Sequence, residues 1–186
     1  MTSSAVDPIA LAAARRRVFL ALFAALAVAV HTLEALLPAP APWFRLGFAN
    51  ILTLTALFLY GSSGAWSVTL ARIGLGSLLL GNLFAPGFFL SLGGGALATA
   101  LMILARRLGG RAIGPVGVSV VGAAGHAAGQ MLIAWLLLVR HDGIWRIFPF
   151  FLLASLLTGI ANGLVADRVL ELLRQQPAFA AKEEGV

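Results

Sequence analysis

The stretch RIGLGSLLLGNLFAPGFFLSLGGG, residues 72–95, decides how the chain is read. Two apolar runs flank GNLFAPG, whose glycines, asparagine and proline are turn formers, so the stretch is the end of one helix, a break and the start of the next. Arg72 opens it from inside an apolar run. In lipid an ionised side chain at such a place is tolerated only when it is paired, hydrated or turned toward a cavity. The meaning of Arg72 therefore depends on the solvent around the stretch.

Composition settles that solvent. Of 186 residues, 60% are hydrophobic and 11% charged, and the mean hydropathy is +0.97. These values lie far outside the soluble globular range and point to an all-α integral membrane protein. Apolar runs fall at 18–37, 46–60, 65–80, 88–104, 114–139 and 147–165, which predicts a bundle of six transmembrane helices. The second and third runs are shorter than the roughly 20 residues of a full span. The breaks PAPAP (38–42), GSSG (61–64), GNLFAPG (81–87), LGGR (108–111) and RHDG (140–143) carry turn chemistry. A single membrane domain is expected, with residues 1–17 as a cytoplasmic lead, 18–166 as the six-helix bundle and 167–186 as a cytoplasmic tail.

The net charge of +6 does not read as a nucleic-acid footprint, because the basic residues punctuate apolar runs and form no solvated stripe. They sort by topology instead. With the N-terminus in the cytoplasm, Arg15, Arg16, Arg17, Arg106, Arg107, Arg111, Arg168, Arg174 and Lys182 lie inside, against Arg45, Arg140 and Arg146 outside. Both termini are then cytoplasmic. RRRVFLALFAALAVAV followed by PAPAP also has the order of a signal peptide, but a retained first helix fits better because the apolar run continues through HTLEALL.

The polar residues of the spans are the candidates for function. Glu34, Arg45, Asn50, Arg72, Asn82, His126 and Gln130 are assigned to the outer half of the membrane, as a ligand-binding set. His126 and Gln130 are four apart and His31 and Glu34 three apart, so each pair shares a helix face. Arg72 lines a cavity or meets Glu34. His31 reads as interfacial, and Thr158 and Asn162 fall in the inner half. No dedicated metal spacing is present, and with no cysteines there are no thiolate sites. Ala21, Ala25 and Ala29 recur every four residues and form a smooth stripe suited to a partner helix. Gly125 with Gly129, and Gly159 with Gly163, have the GxxxG spacing of helix packing. No phosphate-binding loop, clustered carboxylates or nucleophile set is found, so no catalytic residue and no cofactor is assigned and the chain is not expected to be an enzyme.

The blocks RLGFANILTLTALFLYG (45–61), RIGLGSLLLGNLFAPGFFLSLGGG (72–95) and GAAGHAAGQMLIAW (122–135) resemble the Gx transporter family, also labelled heptaprenyl diphosphate synthase component I, over residues 18–166. That family is similar to the S components of energy-coupling-factor transporters. The resemblance implies a substrate-binding subunit of the bacterial cytoplasmic membrane. It would hold a vitamin, flavin-like or prenyl- or quinone-related small molecule in an outward cavity, under a loop such as GNLFAPG. A coupling transmembrane subunit, with ATPases supplied in trans, would meet the stripe Ala21, Ala25 and Ala29. The alternative implied is a non-catalytic scaffold of a flavin- or quinone-linked electron-transfer complex or of polyprenyl diphosphate metabolism. Prenyl elongation itself needs metal-binding carboxylate clusters, whereas Asp7, Asp142 and Asp167 stand alone.

Overall fold

A computed structural model describes residues 8–38, 47–110, 112–176 and 179. Its elements are α1 (Pro8–Leu36), α2 (Asn50–Leu79), α3 (Pro86–Gly109), α4 (Pro115–Ala134) and α5 (Phe148–Arg174). Among the described residues there is no strand, as expected in lipid, where only helices satisfy every backbone group within one segment. Local sequence explains the ends. Proline occupies the first or second position of α3, α4 and α5, where its missing N–H is not needed. Gly110 closes α3 with φ 51° and donates its N–H to Arg106 O, while Arg106 and Arg107 complement the negative end of the helix dipole. A π-helical turn, Trp135–Val139, extends α4, and a 3₁₀ turn, Asp142–Arg146, leads into α5.

Among the described residues five helices are long and apolar enough to cross a membrane, one fewer than the six expected spans. The reason lies in α2, which contains both the second and the third expected run. Its helical bonding is broken at Gly61, where φ is 74° and ψ −166°, a conformation essentially confined to glycine. The break is a reversal. Thr53 Oγ1 lies 3.2 Å from Thr69 Oγ1, and Arg72 Nη2 donates to Asn50 Oδ1 at 2.7 Å. In a straight helix these pairs would be roughly 24 and 33 Å apart. Both pairs are centred on position 61, since 53 + 69 and 50 + 72 each equal twice 61. The arms 50–60 and 62–79 are therefore antiparallel, joined by one residue.

The first arm is about 16 Å long, half the thickness of a hydrocarbon core. Its start consequently lies within the bundle: Gly47 and Ala49 in the preceding turn are buried. The bend lies at the arginine-rich end, where Arg16 donates to Ser63 Oγ at 2.8 Å, Arg107 to Ser62 Oγ at 3.4 Å, and Arg106 stacks on Phe58.

The second helix packs chiefly on α1, and also on α3 and α5, while α3, α4 and α5 pack in sequence order. One apolar core near the bend end joins Leu54, Leu57, Ala98, Met102, Val118 and Ala166. A second, toward the other end, joins Leu90, Ala127, Met131, Ala134, Ile144 and Phe151. The GxxxG glycines mark close approaches: a β-carbon at Gly129 would collide with the Gly93 carbonyl, and one at Gly163 would fall 2.6 Å from Val116 Cα. Two helix bounds differ from the sequence reading. Residues 8–17 of the expected lead are helical, and α5 continues to Arg174 through the first part of the expected tail.

Candidate functional site

Between the two apolar cores lies a polar layer, built where four helices and the buried start of α2 converge. Gly47 is its hub. Its φ of +73° and the side chain of Asn50, 2.9 Å from where a β-carbon would stand, admit only glycine. Its N–H donates to Glu34 Oε1 of α1, and its carbonyl accepts from Asn162 Nδ2 of α5 at 3.3 Å. His126 of α4 is the next neighbour of that β-carbon position, at 3.7 Å. The carboxylate of Glu34 thus sits at the positive end of the short first arm, where the helix dipole favours an anion.

Arg72 enters the layer from the second arm, 2% exposed, with its guanidinium on Asn50. A charge so placed needs this oxygen, because a buried cation without acceptors is strongly disfavoured. The triple glycine of the opening stretch makes room on the facing helix. A β-carbon on Gly95 would stand 3.2 Å from Arg72 Nη2, and one on Gly94 would stand 2.6 Å from Gln130 Cγ and 3.0 Å from the His126 ring. Two adjacent glycines of α3 therefore seat the arginine on one side and the histidine and glutamine on the other. Below Arg72 the layer continues as a threonine chain, with Thr69 Oγ1 3.2 Å from Thr53 and 2.8 Å from Thr99.

A pocket borders this layer, lined by Asn50, His126, Ser119, Ser155, Thr158 and Asn162 together with Met102 and the backbone at Gly122. It is small, with room for about one water. The lining offers amide, hydroxyl and imidazole groups, which can hydrogen-bond such a water.

Of the residues expected from the sequence, Glu34, Asn50, Arg72, His126 and Gln130 come together in this layer. Asn82 lies in the turn between α2 and α3, where its backbone bonds to Ser77 O and Ala85 N–H. Arg45 lies outside the described residues. His31 is buried within the bundle, 3% exposed, with its ring against Gly76, which has no side chain to displace it. Asn162 does not stand apart in the inner half but joins the hub through Gly47. Asn50 sits about 16 Å from the bend, level with Arg72, because the first arm is short. Among the described residues no group of three or more His, Asp or Glu could hold a metal ion. Sequence reasoning missed Gly47, Ser119 and Ser155; an isolated serine or glycine in an apolar span gives no depth signal of its own. Ala21, Ala25 and Ala29 are exposed, on a face of α1 that the bundle leaves uncovered.

Residues 23–169 match the family described as heptaprenyl diphosphate synthase component I. The chain belongs to that family. The match includes the whole polar layer, from Glu34 to Asn162, and the hairpin of α2. Comparisons of this component I family member with curated proteins and with solved structures gave no match.

Proposed function

We propose that this component I family protein is the substrate-binding membrane subunit of a small-molecule transporter of the energy-coupling-factor S-component type. The observation that carries the reading is the polar layer itself. Arg72, Asn50, Glu34, His126, Gln130 and Asn162 meet in mid-bundle around a buried, non-helical chain segment. Irregular backbone at such depth is tolerated where it is enclosed by protein or lines a cavity, and broken helices are a recurring feature of transporter binding sites. Six crossings follow if both arms of α2 are counted, the first as a short span. The arginine-rich bend end faces the cytoplasm of a bacterial inner membrane, and the outer turn GNLFAPG closes over the site.

The substrate class is a vitamin, flavin-like or prenyl- or quinone-related compound. The exposed alanine face of α1 fits a coupling transmembrane subunit, with energy from ATPases in trans. The proposed role is binding, and no catalytic residue is part of it. The small volume of the pocket favours a second reading, a scaffold subunit of a flavin- or quinone-linked complex whose polar groups pair only with one another. Mass spectrometry of small molecules released from gently purified wild type and Arg72→Ala separates the two. A compound present in the first and missing from the second supports the binding subunit. An empty wild type that copurifies with fixed membrane partners overturns it.

A further inference from the structure

Ser91 of α3 and Gln130 of α4 carry polar atoms that the fold leaves unused. The hydroxyl of Ser91, 3% exposed, and both the Oε1 and the Nε2 of Gln130, 0% exposed, are buried with no hydrogen-bond partner. Buried polar groups are rarely left so, because each loses its bonds to water and gains nothing in return. Ser91 has a local remedy. Elsewhere in the chain Thr55, Ser67 and Thr158 bond a carbonyl three or four residues back on their own helix. Ser91 does not.

The two residues are neighbours in position. Gln130 lies over Gly94, and Arg72 over Gly95. By helical periodicity Ser91, three residues before the one and four before the other, lies on the arc of α3 between these two directions. Ser91 is thus placed on the face of α3 that meets Gln130 and Arg72.

The geometry points to a ligand subsite here for a neutral group that presents a donor and an acceptor side by side: a primary carboxamide, or the lactam or imide edge of a heterocycle. An amide side chain offers one acceptor and one donor in fixed register, so its complement is the same pair reversed. A carboxylate or phosphate offers acceptors only and leaves Oε1 facing another oxygen. A prenyl chain offers neither. Ser91 supplies a third hydrogen bond of either sense. This subsite deepens the binding-subunit reading and rests on it.

The test compares wild type with Gln130→Leu, Gln130→Glu and Ser91→Ala. Small molecules released from each are profiled, and the stripped proteins are titrated with nicotinamide and uracil as carboxamide and lactam probes and with nicotinate as the acceptor-only control. The expected result is a released compound bearing such an edge, lost from Gln130→Leu and Gln130→Glu. Amide-probe binding falls at least about tenfold in Gln130→Leu, which removes both hydrogen bonds of the Gln130 amide. Stripped Gln130→Leu is as thermally stable as wild type or more so, since removing an unpaired buried amide relieves a cost. Retention of the same compound by Gln130→Leu, preferential binding of nicotinate, or a lowered melting temperature of stripped Gln130→Leu overturns the subsite and leaves the transport reading standing. A wild type that releases no compound and binds no probe overturns both.

Discussion

Replacing Gly61 by alanine tests the reversal of α2, and a second glycine of the same element supplies the control. At Gly61 and at Gly74 alike, no atom lies within 4 Å of where a β-carbon would stand. Steric collision therefore contributes at neither position, and the two substitutions differ only in backbone conformation. Gly61 sits at φ 74° and ψ −166°, a region in which an L residue is strained by about 1–3 kcal/mol. Gly74 lies in the helical second arm, where alanine is favoured over glycine by about 0.5–1 kcal/mol. Gly61→Ala is thus expected to lower stability and Gly74→Ala to raise it, with a gap between the variants of about 1.5–4 kcal/mol. The assay is equilibrium unfolding of both variants in the same mixed micelle, read by helical circular dichroism and by tryptophan fluorescence. Equal stabilities, or a loss at Gly74 matching that at Gly61, would refute the argument that glycine is required at 61 for its φ. Gly61→Val should cost more than alanine although the space around it is open, because branching at the β-carbon adds to the strain of the residue's own backbone at positive φ.

Two further substitutions probe the packing and the polar layer. Gly129→Ala pushes a methyl group into the Gly93 carbonyl and should destabilise the α3/α4 contact by about 1–3 kcal/mol, the usual cost of overpacking; a neutral effect in the same unfolding assay would show that the helices can part freely. Asn50→Leu removes the acceptor that Arg72 holds at 2.7 Å and should cost about 1.5–3 kcal/mol, typical of a hydrogen bond to a charged group. In the double-mutant cycle with Arg72→Met the two losses should fall short of additive by 0.5 kcal/mol or more, at the low end for contacting residues; strict additivity would deny the pair.

Much of the layer was visible as a list of residue types. Glu34, Asn50, Arg72, His126 and Gln130 stand out because ionisable and amide groups are costly inside an apolar run, and cost marks them wherever they fold. Asn162 was equally visible and wrongly set apart, since depth along its own helix says nothing of a bond to Gly47, 115 residues earlier. The burial of His31 is likewise invisible along its own helix. An interfacial position follows from its distance to the helix end, whereas its burial follows from a missing side chain on another helix, at Gly76.

The sequence by itself determined the class of protein, the helical state and the positions of the breaks, because lipid leaves the backbone no other way to satisfy its polar groups, and turn residues are local. Even the reversal at GSSG was marked. What only the tertiary structure decided is the partner of each polar side chain: Arg72 on Asn50, Glu34 on Gly47, and Gln130 and Ser91 on nothing. Those outcomes depend on which helix faces come together and how closely, to within an ångström or so. Hydropathy, which averages over a span, does not carry that information.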